Sequence, residues 1–344
     1  MNALYSLVFV FILVLIPLFG VGAGHMDFGF GVCIPYTAFA LFLSGFVAKI
    51  FGWAKSPVPY RIPTTGGQQL PYDPELFKQS KLDNPSNGFQ TVLRMILEIF
   101  AFRSLFRNTS TSLHETKDGP VVAYASSKWL WLFAILFHYS FFIIALRHLR
   151  LFLEPIPFFV NGLEFMDGIL QIGAPVMYQT DALIVVGLLF LLLRRLVDAK
   201  IRYISLVADF FPLFLILGVA LSGIWMRYYA KVDVVAIKEL AMGLVTLHPH
   251  VPAGIDVSFY VHVFLVSVLM VYFPISKLMH MPGVFLSPTR NMPNDNRFHH
   301  HENPWNPDIK PLAYESYEKE FGPFMAEAGL PLDNPENAKA PEEG

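Results

Sequence analysis

Six runs of mostly apolar residues, at 3–22, 32–53, 129–149, 178–197, 205–226 and 257–279, decide what this 344-residue chain can become. Each is near the roughly 20 residues that a helix needs to cross a bilayer, where the backbone must satisfy its own hydrogen bonds. A water-soluble core that hides the same side chains fails on composition. Hydrophobic residues make up 54% of the chain and charged ones only 15%, with a mean hydropathy of +0.47. The expected fold is an all-α integral membrane protein with six transmembrane helices. The first run, LYSLVFVFILVLIPLFGVGAG, ends in small residues as a secretory signal does. It lacks a basic stretch before it and its apolar run is long, so it is expected to stay as a helix.

Lysine and arginine concentrate on the cytoplasmic side of membrane proteins. The segment 54–128 holds nine of them, among them Arg94, Arg103 and Arg107, and RRLVDAKIR holds Arg194, Arg195, Lys200 and Arg202. Segments 23–31 and 151–177 contain none, the second carrying Glu154, Glu164 and Asp167 instead, and 227–256 is mixed. With six crossings, this pattern places both termini in the cytoplasm and the chain in the cytoplasmic membrane as a multi-pass protein.

The chain then divides into two N-terminal transmembrane helices at 1–53, a cytoplasmic loop at 54–128, a core of four transmembrane helices at 129–280 and a cytoplasmic tail at 281–344. Within the loop, 56–87 is rich in Pro, Gly and polar residues and reads as extended. The segment 88–107 has Val92, Leu93, Ile96, Ile99, Phe100 and Phe106 interrupted by Arg94, Glu98, Arg103 and Arg107, a pattern for a helix lying along the interface. The tail is polar, with too few apolar residues to fold alone. It is expected to bind a partner subunit, with its last dozen residues hanging free. The single cysteine, Cys33, supports no disulfide, no CxxCH haem attachment and no iron–sulfur site. Any cluster chemistry belongs to another subunit.

Polar groups inside membrane helices are costly and usually functional. His138 and His148 lie ten residues apart on the third run, and His262 and His280 eighteen apart on the last. Four imidazoles on two helices are the axial ligand set for two bis-histidine haems b. The third helix runs outward and the sixth inward, so matching depths pairs His138 with His280 near the cytoplasm and His148 with His262 near the outer face. At a rise of about 1.5 Å per residue the two spacings are about 15 Å and about 27 Å, which disagree for straight helices. Arg147 and Arg150 flank His148 where haem propionates need charge-assisted partners. The residues alone leave a second reading open, in which the histidines relay protons and no haem is bound.

In these residues the chain resembles known families. The spacings of ten and eighteen over 129–280 are similar to the respiratory nitrate reductase gamma subunit, a dihaem cytochrome b. The extra N-terminal helix, the loop helix LRMILEIFAFRSLFRN and the tail RNMPNDNRFHHHENPWNP resemble the cytochrome b (DsrM) subunits of the DsrMKJOP complexes of sulfate reducers. The cytochrome b subunit of membrane heterodisulfide reductase is similar in pattern. The resemblance implies a dihaem bundle of four to five helices that exchanges electrons between menaquinol or menaquinone and a cytoplasmic iron–sulfur subunit of heterodisulfide-reductase type (DsrK-like). It also implies other membrane and extracytoplasmic subunits and a link to dissimilatory sulfur reduction. On that reading the chain is an electron-transfer subunit of a quinol-oxidising complex, not an enzyme alone.

A quinol site needs a proton acceptor near a haem edge. Glu154, Glu164, Asp167, Tyr178, Asp181 and Lys238 are within range of the outer face, and each is also an ordinary loop or helix-end residue. His25, His248 and His250 lie on the same side and His114 in a polar loop, while the HHH run at 299–301 reads as a contact strip more readily than as a zinc site. Asp209 reads as a helix start, and Trp53, Trp129, Trp131 and Trp225 as interfacial aromatics.

Overall fold

The computed structural model describes residues 1–56, 80–117, 119–169, 177–294 and 311–338. It divides into two compact units, Met1–Ser56 with Arg61–Asn296, and Pro57–Tyr60 with Arg297–Gly344. In the first, α1 (Asn2–Gly22) is followed by a π-helical stretch (Gly29–Cys33) that runs into α2 (Ile34–Ala54). Then come α3 (Gly88–Ala101), α4 (Arg103–Phe106) and a hairpin of β1 (Thr109–Thr116) and β2 (Gly119–Ser126). The long α5 (Lys128–Phe152) follows, with α6 (Phe158–Gly168), α7 (Gln179–Val197), α8 (Ala199–Ile204) and α9 (Val207–Ile224). The unit closes with α10 (Val234–Val245), α11 (Val257–Tyr272), α12 (His280–Leu286) and α13 (Pro288–Asn291).

Five helical stretches among the described residues are long and apolar enough to cross a bilayer: Asn2–Gly22, Gly29–Ala54, Lys128–Phe152, Val207–Ala230 and Val257–Ile275. Only 11% of the apolar window of α5 is buried inside the chain, so most of its surface is left for lipid, cofactor or partner. The remaining expected span is present as α7, but Asp181 in its first turn and Arg194 and Arg195 in its last keep it outside that set. It is nevertheless packed hard against α5. A side chain in place of Gly187 would put its Cβ 3.1 Å from the backbone nitrogen of Phe137.

Two clusters centre on α11. Val10 and Leu13 of α1, Phe211 and Leu215 of α9, and Val261 and Leu265 of α11 form one. The other joins Val21, Phe30 and Val32 to Ile237 and Leu240 of α10 and Phe259 and Tyr260 of α11. Ile184 and Leu188 of α7 meet Ile216 of α9 in a third, with Phe137, Ile144 and Leu278 against it. Thus α5 and α11, which carry His138, His148 and His262, both contribute to the clusters that include α9.

The structure corrects three expectations. The last span does not continue as one α-helix to 279: α11 ends at Tyr272, two 3₁₀ turns (Phe273–Ile275 and Lys277–Met279) follow, and Ser276 between them is extended at φ −112° and ψ 176°. Pro274 explains the break, since it has no N–H to give and its ring crowds the preceding turn. His280 therefore opens α12 rather than closing a span, and Pro282 sits in the first turn, where its missing N–H costs nothing. The basic loop also contains a β-hairpin, registered from Thr109 opposite Ser126 to Thr116 opposite Gly119. Its strand TSTSLHET is polar on both faces, so it lacks the alternation that marks a half-buried strand.

The third correction concerns the tail. In the second unit α14 (Tyr314–Glu327) is folded against the turn Pro335–Ala338: Glu318 is 2% exposed and accepts the Asn334 N–H at 2.9 Å. Residues 333–338 are thus ordered on α14 rather than free. Of the loop expected to be extended over 56–87, residues 57–79 lie outside the described residues, as does the HHH run at 299–301.

Candidate functional site: two facing histidine pairs

His138 of α5 faces His280, the first residue of α12, and His148 of α5 faces His262 in the first half of α11. The rings of His138 and His280 have centroids 6.1 Å apart and planes at 85°, and those of His148 and His262 are 6.3 Å apart at 10°. A metal–imidazole nitrogen bond is about 2.0–2.1 Å, and with about 1.1 Å from nitrogen to ring centroid two imidazoles on one metal have centroids about 6.3 Å apart. Both pairs meet that distance. Because of the break at Pro274, the α-helical rise does not apply across residues 273–279, so the straight-helix estimate for the second spacing does not hold.

The second nitrogen of every ring is already engaged. In α5, Nδ1–H of His138 donates to the Ala134 carbonyl and that of His148 to the Ile144 carbonyl, each at 2.7 Å. Nδ1–H of His280 donates to the Lys277 carbonyl at 2.9 Å. His262 uses a side chain: the Ser222 hydroxyl donates to Val219 at 2.9 Å, so its oxygen accepts Nδ1–H of His262, also at 2.9 Å. Such bonds fix the tautomer in which Nε2 carries the free lone pair, the state a metal requires. Gly223 lets α9 come close here, since a Cβ at that position would lie 3.2 Å from Cε1 of His262.

Among the described residues there is no group of three or more His, Cys, Asp or Glu side chains that could hold a metal ion. Two opposed imidazoles are too few for a bare ion, which takes four or more ligands, but they suit a macrocycle that brings its own equatorial nitrogens. The donor set therefore fits haem.

Beside His148 lies a polar network. Arg147, whose side chain is 9% exposed, pairs with Asp167, which is 2% exposed and also takes the Thr180 N–H and hydroxyl at 2.9 and 2.6 Å. The Arg147 guanidinium lies 4.1 Å over the Tyr178 ring, with that of Arg227 at 4.4 Å from the same ring. Arg150 pairs with Glu164, which accepts the Tyr178 hydroxyl at 3.1 Å. Burial acts to raise the Glu164 carboxyl, but the Arg150 hydrogen bond and charge outweigh it and hold it below its ordinary value. Both arginines expected at haem propionates thus have carboxylate partners within the chain. Asp181 accepts the Tyr228 hydroxyl at 2.5 Å, and Lys238 pairs with Glu154. A mostly apolar cleft of about 360 Å³ is lined by Arg150, Leu151, Ile156, Val234, Lys238 and Met242.

Reasoning from sequence missed Ser222, Gly223 and Phe102, whose ring stands edge-on to His138 at 5.0 Å. The small polar pair Ser222-Gly223 inside an apolar run was a usable signal. Phe102 offered none.

A helical membrane bundle with two such pairs is the architecture of a membrane cytochrome b. Comparison with known proteins agrees. The nitrate reductase gamma subunit family matches residues 95–292. The Hdr-like menaquinol oxidoreductase cytochrome b-like subunit of Archaeoglobus fulgidus is 45% identical over 290 residues, 82% of this chain and 85% of that protein. The subunit of the same description from Archaeoglobus profundus is 42% identical over 282 residues, covering 80% and 82%. The chain belongs to this nitrate reductase gamma-like family of membrane cytochrome b subunits.

Proposed function

We propose that the chain is a dihaem cytochrome b subunit that exchanges electrons between menaquinol or menaquinone and a cytoplasmic iron–sulfur subunit of heterodisulfide-reductase type. The observation that carries this is the pair of imidazole separations, 6.1 and 6.3 Å, each suited to one six-coordinate iron. His138 with His280 and His148 with His262 would hold the two haem irons. Haem b, when bound, supplies one-electron redox chemistry at both positions. The chain's own contribution is to hold each Nε2 lone pair toward the metal through the Nδ1 hydrogen bonds.

The relatives' description, an Hdr-like menaquinol oxidoreductase, supports the quinol and the partner type. In this reading α7 is a sixth span, both termini are cytoplasmic and the His148/His262 pair is the outer one. The quinol then docks in the cleft between Arg150 and Lys238, with the Glu164 carboxylate behind Arg150 as the first group to take a proton and the Tyr178 hydroxyl hydrogen-bonded to it. The remaining elements of the reading are a DsrK-like partner, further complex subunits and a role in sulfite or sulfate reduction.

The test is a reduced-minus-oxidised spectrum with pyridine haemochrome quantification on the purified chain, followed by reduction with a menaquinol analogue. Two haems b per chain, reduced by the analogue, are expected. Absence of haem removes the reading, and one haem per chain removes the pairing scheme.

A further inference from the structure

We propose that Phe102 is a positioning residue for the His138/His280 pair, holding the two imidazole planes perpendicular and so making the two haem sites electronically unlike. The inference rests on the haem ligation proposed above. It starts from a backbone anomaly: Phe102 stands between α3 and α4 at φ 49° and ψ 47°. That left-handed conformation at a helix C-terminus normally falls to Gly or Asn, because a Cβ is crowded there. A bulky aromatic kept in such a place points to a role for its ring.

The ring's role is visible in its contact. It meets His138 edge-on at 5.0 Å and 87°, while the His138 Nδ1–H is tied to Ala134. One bond sets the tautomer, and the Phe102 edge, on the imidazole together with the neighbouring Phe137 ring at 4.8 Å and 69°, limits rotation about it. His280, tied by its own Nδ1–H to Lys277, then faces His138 at 85°. The partner pair has no comparable ring against it among the described aromatic contacts, and its planes lie at 10°.

Phe102 is itself clamped from both sides. The Tyr139 hydroxyl of α5 donates to the Phe100 carbonyl at 2.8 Å and Trp131 Nε1–H to the Ala101 carbonyl at 2.7 Å. Glu98 closes the elbow: one oxygen takes the Ser104 N–H and hydroxyl at 3.0 and 2.7 Å, and the other pairs with Arg290. Arg290 lies on α13, ten residues after His280, and Asn294 continues the tie by donating its N–H to the Pro85 carbonyl at 2.6 Å. The α3–α4 segment therefore bridges the helix that carries His138 and the chain that carries His280. It does not bridge the other pair.

Axial imidazoles at right angles leave two of the iron's dπ orbitals nearly degenerate, whereas parallel ones split them. Low-spin ferric haem then gives a single broad feature at high g in the first case and a three-line rhombic spectrum in the second. The axial ligands are among the protein's levers on haem electronics.

The experiment is electron paramagnetic resonance of the oxidised full chain, with the signals assigned through His262→Ala, which lacks the outer site. Wild type is expected to show one broad high-g signal and one rhombic signal. In Phe102→Leu the broad signal should move toward the rhombic form while the other stays, and Phe102→Tyr should restore it. Arg290→Gln, which loosens the clamp without touching the ring, should give a smaller shift of the same signal. Two rhombic signals in wild type overturn the proposal even if no variant accumulates. So does an unchanged broad signal in Phe102→Leu, or an equal shift at both sites. A wild type without haem is a different result: it removes the ligation reading itself.

Discussion

The two histidine pairs share one side-chain chemistry and differ in what holds them. His138 and His280 bond only to carbonyls of their own local backbone, and a ring from the α3–α4 elbow stands edge-on to His138. His148 and His262 lie nearly parallel, with Ser222 and Gly223 of α9 against His262 and the Arg147–Asp167–Thr180 network beside His148. One site is braced from a segment outside the spans, the other from within the bundle. Identical ligands can therefore be tuned separately, because the second layer around a ligating imidazole governs its orientation and basicity.

The largest break in this comparison comes from deleting a ligand. His262→Ala should halve the haem content and leave the His138/His280 signal unchanged, and His280→Ala should do the reverse, read by pyridine haemochrome. Loss of different haems from His148→Ala and His262→Ala would refute the pairing. Next is Asp167→Ala, which leaves the Arg147 guanidinium buried without its nearest carboxylate. Removing one partner of a buried pair costs about 3–5 kcal/mol, so thermal unfolding in detergent should fall sharply, with the His148/His262 haem released first.

Ser222→Ala sharpens the same contrast more gently. Taking away the acceptor of a ligand's N–H typically lowers metal affinity about 10–100-fold. Haem should transfer to a scavenging apoprotein faster from the His148/His262 site alone. The smallest effect is on the other side. Hydrogen bonds from Arg103 hold the Asp83 carboxyl well below the usual carboxylate range, with Arg107 and Ser80 adding to them. A depressed carboxyl stabilises the fold above its unfolded pKa of about 3.9 and loses that contribution as pH falls below it. Hydrogen-exchange protection of α3 and α4 should thus be flat at neutral pH and decline in acid, and Asp83→Asn should flatten the decline.

How much of this was legible can be judged residue by residue. The apolar runs announced the bundle, because a bilayer imposes one length and one periodicity on any crossing helix. The four imidazoles stood out because polar groups are rare in such runs. The hairpin over 109–126, the helices α6 and α10 and the break at Pro274 were not read. The hairpin has no clean alternation in its first strand, and α6 and α10, at 11 and 12 residues, are too short to register as spans. The break depended on where the chain turns, and a proline near the end of a span reads equally as a kink or a stop.

What the sequence by itself determined is a helical membrane protein with four histidines in or beside two of its apolar runs. Tertiary structure alone decided how those histidines meet. Ring separations of 6.1 and 6.3 Å, and the contrast of 85° with 10°, depend on contacts between residues as distant along the chain as Phe102 with His138 and Ser222 with His262. Hydrophobic periodicity records which face of a helix is buried. It carries no record of the rotation of a side chain about its own bonds, which is set by whatever neighbour the fold brings against it.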